Sequence, residues 1–274
     1  VSAGQTGSAN GYAYGEVSGI ELSPDGSLLA VCDSFNDLVR IYDTATFTQI
    51  DAVFVGDFPI RATFNATGDR IYVTNSFDDS VVQLEESGGS WSLINGYSPI
   101  DFPLTVDVDA ADEYVYVGNA GNDPAIRVFD TTNFNLVATI PFVDGSPRDS
   151  FLSTTDNILY AAMTNGELVR INAAGPTSAL IDAAPLAAGP SDLAFNDTAK
   201  IAVTAQPVPD GVDIIDFGDQ CPEDLSGDDS VDSTDLFQLL GAWGSCSGCP
   251  EDLTGDGVVD TGDLFALLGA WGPC

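Results

Sequence analysis

Apolar and polar residues alternate in short runs over most of the chain, and these runs recur as a repeated unit. Each unit holds an apolar strand, a turn, an alternating strand, a polar turn and a further alternating strand. The first three copies begin at Gly19, Ala62 and Thr105, and two more contain residues 157–171 and 192–217. Alternation with a period of two is typical of half-buried β-strands. The sequence therefore predicts five strand-rich repeats.

The spacing of the repeats selects an architecture. Asp33 and Asn75 occupy matching positions 42 residues apart, and Asn119 follows 44 residues later. That interval suits four-stranded blades arranged around a central axis. Turn residues such as Pro24-Asp25-Gly26 fall between the expected strands. We predict an all-β propeller of about five four-stranded blades over residues 1–218.

These repeats resemble the YVTN family of β-propeller repeats. The resemblance is carried by Tyr72-Val73-Thr74-Asn75, by Ser23-Pro24-Asp25-Gly26 and by the segments 128–132 and 137–141. Propellers of that family commonly close with more than five blades, and the fifth unit here lacks an outer strand. We expect the segment Tyr12–Val17 to supply that strand and close the ring.

The remaining residues, 219–274, form a second predicted domain that contains an internal duplication. Residues 221–246 align with residues 249–274 at an offset of 28, with 19 identical positions out of 26. In each copy a loop precedes a short helix with one apolar face. We expect these faces to form the core of a small α-helical module, with a binding face as the alternative; they comprise Leu236, Leu239, Leu240 and Trp243, and Leu264, Leu267, Leu268 and Trp271.

Both loops carry the oxygen pattern of a calcium site. Acidic or hydroxyl side chains stand at loop positions 1, 3, 5, 9 and 12, and position 7 offers a backbone carbonyl, which is the donor set that a hard cation prefers. The first set is Asp224, Ser226, Asp228, the Ser230 carbonyl, Asp232 and Asp235; the second is Asp252, Thr254, Asp256, the Val258 carbonyl, Asp260 and Asp263. Since Asp229 replaces the turn glycine that Gly257 provides in the second loop, we expect two Ca²⁺ sites of which the first is weaker.

The duplicated module resembles type I dockerin repeats, and in particular cysteine-flanked dockerin modules at the ends of secreted bacterial proteins. The shared motif lies at residues 224–236 and 252–264. In that family, loop positions ten and eleven contact a cohesin module. The resemblance therefore implies partner contacts at Ser233 and Thr234 and, as a poorer match, at Thr261 and Gly262. A cohesin-like module or another copy of the chain is the expected partner.

Four of the five cysteines lie in the duplicated module and allow three pairings. The duplication favours Cys221–Cys246 and Cys249–Cys274, because each bond would close the same span. Cys246 and Cys249 also have the spacing of a redox pair, which we consider less favoured. Disulfides in a small module indicate an oxidising compartment, whereas Cys32 lies within a strand and is expected to be a buried thiol.

Charge and composition narrow the function. The net charge of −35, with 7 basic and 42 acidic residues, argues against binding nucleic acid or anionic membranes. The absence of histidine removes His-based triads and His zinc sites. The chain begins at Val1 without Met, which is consistent with a mature form after removal of a signal peptide. We therefore expect a secreted protein, extracellular or at the cell surface, without insertion into a membrane.

Two sequons and three arginines complete the candidate positions. Asn65 and Asn196 each begin an Asn-x-Thr sequon at an expected turn, so both are possible glycosylation sites. Arg40, Arg127 and Arg170 recur at similar strand positions, and ion pairs with neighbouring acids are their expected role.

Three functional hypotheses remain. The first is a non-catalytic interaction or structural protein, whose propeller is displayed or assembled through the calcium-dependent tail. The second is a propeller enzyme (a lyase, hydrolase or lactonase) that uses carboxylates and a metal in its central channel. The third is a subunit of an extracellular fibre or surface layer. No nucleophile–base constellation is evident, so we predict that the chain is not an enzyme.

Overall fold

The computed structural model describes residues 17–186, 189–190, 192–197, 200–207, 210–216, 223–226, 230–246 and 249–273. They form two compact units, one of which contains Val17–Asp197 and Ala202–Ile214 while the other contains the C-terminal residues from Ile215. No helix in these ranges is long and apolar enough to span a membrane.

The first unit is an all-β propeller, as predicted. Four sheets have four antiparallel strands each, and a fifth sheet has three within the described ranges. The strands are β1 Val17–Leu22, β2 Leu28–Asp33, β3 Leu38–Asp43, β4 Thr48–Phe54, β5 Pro59–Phe64, β6 Arg70–Asn75, β7 Ser80–Ser87, β8 Ser90–Tyr97, β9 Pro103–Val108, β10 Tyr114–Asn119, β11 Ala125–Asp130, β12 Leu136–Pro141, β13 Pro147–Ser153, β14 Ile158–Met163, β15 Glu167–Asn172, β16 Ala179–Pro185, β17 Asp192–Asn196, β18 Ile201–Pro207 and β19 Asp210–Asp216, with a 3₁₀ turn at Gly175–Thr177.

Each blade runs through consecutive strands in order, and consecutive blades contact each other through their first strands, β1, β5, β9, β13 and β17. The apolar side of each alternating strand packs against the neighbouring blade. One such cluster, with Cys32, Ile41 and Val73 at its centre, joins the first and second blades. Cys32 is fully buried and free, as predicted, and burial raises the pKa of its thiol to about 12.

The ring-closure prediction does not hold at its one described residue. Val17 lies in β1, where it pairs with Asp33 of the first blade, and therefore does not belong to an outer strand of the fifth blade. Residues 12–16 of the predicted segment lie outside the described residues.

The second unit has two equivalent loop–helix segments. Its elements are β20 Ser230–Val231, α1 Ser233–Gly241, β21 Gly244–Ser245, β22 Val258–Val259, α2 Thr261–Gly269 and β23 Gly272–Pro273. Strand β20 pairs with β23, and β21 pairs with β22, so each two-stranded sheet contains one strand from each copy. Asp232 and Asp260 cap the two helices, each in a capping box with the acidic residue three positions later, which explains where the helices begin.

Candidate functional site

A cavity of about 320 Å³ lies along the first strands of the blades, and charged side chains line it. The charged residues come from all five blades; they are Glu21 of β1, Arg61 of β5, Asp107 of β9, Asp149 of β13 and Asp192 of β17. The cavity also has polar and apolar walls, including Thr105, Ser150 and Phe151. Four acidic side chains and one arginine therefore lie together in this channel, which makes it the most chemically distinctive part of the propeller.

Arg61 connects three blades across the channel. Its guanidinium lies 2.9 Å from Asp149 and 3.4 Å from Asp192. The Asp149 side chain is only 8% exposed, whereas that of Asp192 is 67% exposed. The backbone N–H of Leu193 donates to Asp149 at 3.0 Å. The ion pairs therefore fix the second, fourth and fifth blades relative to one another at the axis.

Asp149 and Asp192 form a carboxyl pair with opposite pKa shifts. Burial and the neighbouring Asp192 raise the pKa of Asp149 to about 8, against the charge of Arg61. A hydrogen bond from the Asp149 side chain holds the pKa of Asp192 below its usual value. Where Asp149 is protonated, its carboxyl donates to the Asp192 carboxylate, and where it is ionised, it forms the ion pair with Arg61. A pair of this kind can both donate and accept a proton.

The pKa values of the other two channel acids, Asp107 and Glu21, are also raised. Removal of water from Asp107 raises its pKa to about 6, while bonds from the Ser150 hydroxyl and the Leu152 N–H (3.2 Å) oppose that shift. The surrounding protein displaces water from Glu21 and, with the charge of Asp107, raises its pKa to about 7. The channel therefore carries less negative charge near neutrality than its composition suggests.

Sequence analysis did not find this cluster. Its members lie far apart in the chain, and Arg61 and Asp192 are separated by 131 positions. A usable signal was present, because Arg61 and Asp149 occupy equivalent positions in their repeats: Arg61 pairs with Thr74 and Asp149 with Ala162, each on the second strand of its blade. A charged residue on the inward face of a first strand marks the channel.

The three recurring arginines outside the channel have the role predicted for them. Arg40 pairs with Asp33 at 2.7 Å, Arg127 with Asp123 at 2.5 Å, and Arg170 with Asp182. Each pair lies within one blade, so these arginines stabilise individual sheets.

The structure buries the sequon asparagine Asn65, which argues against the predicted glycosylation of the folded protein. Asn65 is 1% exposed, and its side-chain amide donates to Asp69 at 2.8 Å and to Asp112 at 3.1 Å. Its side-chain oxygen accepts backbone N–H groups of Asp69 and Arg70. Asn196 is exposed, so its glycosylation stays a prediction.

The second tail loop contains all six predicted calcium ligands within the described residues. The Asp252 carboxylate accepts backbone N–H groups of Gly255, Asp256 and Gly257 at 2.8–3.1 Å. Asp263 is fully buried and accepts the N–H groups of Thr254 and Asp260, which hold the pKa of its carboxyl below the usual value. The loop thus folds around its first and last acidic residues.

The first loop repeats this arrangement where it is described. Asp235 is fully buried and accepts the N–H groups of Ser226 and Asp232 at 2.8 and 2.7 Å. The hydroxyl of Ser226 donates to Asp224 at 3.1 Å. The predicted ligand Asp228 lies outside the described residues.

The donor chemistry of both loops fits Ca²⁺, since every predicted ligand is an oxygen and residues 221–274 hold 11 acids and no base. Across the described ranges, no three acidic or cysteine side chains converge closely enough to hold a metal ion by themselves. Hydroxyl and backbone carbonyl oxygens, which the sequence pattern also supplies, would have to complete such a site. Ser230 and Val258, which offer the carbonyls, lie in the short strands β20 and β22.

The described cysteine pair differs from the predicted pairing. Cys246 is bonded to Cys249, with Cα atoms 6.0 Å apart, in place of separate bonds to Cys221 and Cys274. This bond joins the end of the first copy to the start of the second, which the repeat alignment did not favour. Cys221 and Cys274 lie outside the described residues.

The apolar helix faces of the tail are only partly buried. Leu239 and Leu267 are fully buried with Val231 and Val259, as predicted for a core. The remaining predicted core positions divide: Leu236 and Leu264 are partly buried, but Leu240, Trp243, Leu268 and Trp271 are 45–49% exposed. Phe237 and Phe265 are each 71% exposed. The two helices therefore present matching apolar side chains to solvent.

The predicted partner contacts are accessible. Ser233 and Thr234 are exposed at the start of α1, and Thr261 and Gly262 are exposed at the equivalent turn of α2. The N–H groups of Thr234 and Gly262 each donate to the capping aspartate at 2.6 Å.

Comparison with known proteins agrees with the propeller fold. A solved structure entitled "Kuenenia stuttgartiensis Hydrazine Synthase" superposes with a TM-score of 0.64 at 21% sequence identity, and the match covers 77% of this chain and 67% of that chain. At that identity the likeness concerns the fold alone. No curated protein matches the chain.

A family model supplies the closer assignment. The model described as "Lactonase, 7-bladed beta-propeller" matches residues 19–187, which is more than half of the 274 residues. The described part of the propeller has five sheets, where the family description specifies seven blades. On the extent of that match, the chain belongs to the lactonase family of β-propellers.

Proposed function

We propose that this chain is a secreted, non-catalytic interaction or structural protein, extracellular or at the cell surface, whose tail attaches the propeller to a partner in a calcium-dependent way. The observation that carries the proposal is the pair of equivalent loop–helix segments in the tail. Each one buries a carboxylate completely, at Asp235 and Asp263, in a module without any basic side chain. Each of these carboxylates accepts two backbone N–H groups, which favour its ionised form, and a bound cation would add a compensating charge.

Two calcium ions, one for each loop, would play that role. In the second loop the donors would be Asp252, Thr254, Asp256, Asp260 and Asp263 with the Val258 carbonyl, and the first loop would use the equivalent residues. Binding there would neutralise the acidic loops and stabilise the helices that follow them. Since the ions bind the folded module and not the unfolded chain, calcium should raise the stability of the tail.

The dockerin-like arrangement supports a protein partner for the tail. Ser233 and Thr234 stand exposed beside Phe237 on the first helix, and the second helix offers the same apolar positions. A cohesin-like module is the partner that the resemblance implies. A second copy of the chain is the alternative, which would make the protein a subunit of a fibre or surface layer.

Thermal unfolding of the full chain, followed by tryptophan fluorescence, tests this proposal. Trp243 and Trp271 report on the tail, since they lie directly after its two helices. Saturating Ca²⁺ should raise the midpoint of the tail transition, and excess chelator should lower it. Asp263→Asn should remove much of this response, whereas Glu251→Gln, a matched change at a predicted non-ligand, should leave it intact. A transition unaffected by Ca²⁺ in the wild-type chain would overturn the proposal.

A second candidate function is hydrolysis of a lactone in the propeller channel, and the Asp149–Asp192 pair favours it. The Asp192 carboxylate would take a proton from a water molecule that attacks the lactone carbonyl carbon. Asp149, as a carboxylic acid, would then protonate the ring oxygen as its bond to that carbon breaks. Family membership supports this reaction class, since the family model is named for lactonases.

Acid release from simple five- and six-membered lactones, measured at constant pH, tests the second candidate. A hydrolase should lose activity by two orders of magnitude or more on Asp192→Asn, in line with the usual contribution of about 10²–10⁴-fold from general acid–base catalysis. Asp123→Asn, a matched change outside the channel, should leave the rate unchanged. A wild-type chain that releases acid no faster than buffer would eliminate this candidate.

A further inference from the structure

An exposed row of phenylalanines occupies one face of the propeller. Phe35 and Phe77 lie in the loops after the second strands of the first and second blades, and Phe58 and Phe102 lie in the segments that lead into β5 and β9. The rings of Phe58 and Phe77 stack at 4.4 Å between centroids, and Phe77 lies 6.2 Å from Phe102. Phe35 has, one blade earlier, the loop position of Phe77. We call these four residues the phenylalanine row.

Solvent reaches most of this row. Phe35 is 73% exposed, Phe77 is 60% exposed and Phe102 is 37% exposed. Apolar side chains gain nothing from such exposure in an isolated protein, and contiguous exposed apolar groups mark interaction surfaces. By contrast, Phe134, in another turn of the propeller, is 2% exposed and packs against Tyr72 and Phe129.

The backbone holds the row in place by a repeated set of bonds between loops. The Asp37 carboxylate accepts the N–H of Phe58 at 3.2 Å, and the Asp79 carboxylate accepts the N–H of Phe102 at 3.0 Å. Both phenylalanines have positive φ, 60° and 53°, which is unfavourable for a bulky side chain. The hydroxyl of Ser76 donates to the Pro103 carbonyl at 2.7 Å. The aromatic groups are therefore presented by a rigid frame, and strained positions of this kind tend to occur at functional sites.

The surroundings of the row are acidic. The four loop segments that carry it, residues 33–37, 55–59, 75–79 and 98–103, contain six aspartates and no lysine or arginine. Asp57 and Asp78 are exposed beside the stacked rings. Aromatic faces attract cations directly, and neighbouring carboxylates strengthen that attraction.

The row also borders the charged channel. Phe58 stands three residues before Arg61. At about 3.3 Å per strand residue, its backbone lies about 10 Å from that of Arg61. Of the row's aspartates, Asp33 is paired with Arg40, whereas Asp57 and Asp78 are exposed and available to a cationic ligand.

We propose that the phenylalanine row and its aspartates form a docking surface for a basic polypeptide segment of a partner protein, with arginine side chains stacked on the rings. Arginine fits better than lysine, because its planar guanidinium stacks on aromatic faces while it bonds to carboxylates at its edge. This surface is separate from the tail, so it gives the protein a second, calcium-independent contact. A second copy of this chain is not a suitable occupant, since its net charge is also −35.

Binding of a synthetic Arg-Gly-Ser repeat peptide to the full chain at saturating Ca²⁺ tests the proposal. The comparison peptides replace Arg with Lys, with Glu or with neutral Gln. We expect the Arg peptide to bind more tightly than the Lys peptide, and the Glu and Gln peptides not to bind. Since each exposed cation–π contact contributes modestly, the Phe77→Ala/Phe102→Ala variant should lose about 5- to 30-fold in affinity.

Phe47→Ala is the matched control, because Phe47 is 81% exposed and also has positive φ but lies in a different loop, without row contacts. It should bind the Arg peptide as the wild type does. Phe35→Ala, a single change at the most exposed ring of the row, keeps the test decisive should the double variant fail to fold. Equal binding by wild type and all row variants, equal losses in the Phe47 control, or binding of the Gln peptide as tight as that of the Arg peptide would each overturn the proposal.

Discussion

Asp149→Asn distinguishes two electrostatic states of the channel. Asp149 lies 2.9 Å from Arg61, accepts the Leu193 N–H and is 8% exposed. If the carboxyl is protonated near neutrality, asparagine imitates it in shape and charge. If it is instead ionised, the substitution removes one partner of a buried ion pair, which typically costs about 3–5 kcal/mol.

The expected magnitude follows from the raised pKa. In the folded chain, burial raises the pKa of Asp149 to about 8, whereas in the unfolded chain its pKa is near the ordinary value of 3.8. The stability contributed by this proton is therefore complete below about pH 4 and is lost as the pH rises towards 8. One pH unit corresponds to about 1.4 kcal/mol for one group. Between pH 6 and pH 8 the wild type should thus lose up to about 3 kcal/mol more than Asp149→Asn.

Urea unfolding followed by far-ultraviolet circular dichroism, at pH 6 and pH 8 with saturating Ca²⁺, measures this difference. Glu21 and Asp107 titrate in both proteins, so their contributions cancel in the comparison. Asp123→Asn, at a carboxylate that is 69% exposed, is the control and should show the wild-type pH dependence. A loss of about 3–5 kcal/mol in Asp149→Asn at both pH values would refute the protonated state.

Three further predictions concern burial. Leu267→Ala should destabilise the tail by about 2–5 kcal/mol, because Leu267 is fully buried. Leu268→Ala should cost under about 1 kcal/mol, because Leu268 is 45% exposed. Unfolding followed by tryptophan fluorescence compares the two variants. Asn65→Ala should cost about 2–3 kcal/mol, because it leaves the hydrogen-bond partners of this buried side chain unsatisfied, and intact-mass measurement of the protein should find no glycan at Asn65. Cys32 should resist alkylation by iodoacetamide in the folded chain and react after unfolding, because its thiol is buried and its pKa is about 12.

The propeller was predictable because its signal is local and repeated. The segment Tyr72-Val73-Thr74-Asn75 lies in β6, as its position in the repeat indicates, and all four residues are buried, so both faces of this strand are covered. In the same way, the capping aspartates Asp232 and Asp260 begin the helices where the loop pattern places them. Patterns of this kind depend on neighbours in sequence, which a single chain displays directly.

The channel was not predictable in the same way, because it depends on how blades face one another. Arg61 meets Asp149 and Asp192 only after three blades are arranged around an axis. The burial of Asn65 has the same origin, since Asp112 of the next blade reaches its side chain. Turn-like local sequence suggested an accessible sequon there, and contact between blades removed it.

The tail errors arise from packing between the two copies. Repeat symmetry favoured equivalent disulfides, but Cys246 at the end of the first copy is bonded to Cys249 at the start of the second. Helical periodicity placed Leu240 and Trp243 with Leu239 on one face, yet a module this small buries only the centre of that face. The two tail loops share the hydrogen bonds to the buried Asp235 and Asp263, and their calcium binding stays a prediction, on which the functional proposal rests.

Calorimetric titration of Ca²⁺ into the full, chelator-treated chain tests the central claim most directly. We predict saturation at about two ions per chain, with a weaker first site, in line with one oxygen-lined loop in each repeat. The Asp235→Asn/Asp263→Asn variant should lose both binding events. A wild-type chain that releases no heat, or that binds Ca²⁺ equally well after both buried carboxylates are removed, would contradict a calcium-dependent tail.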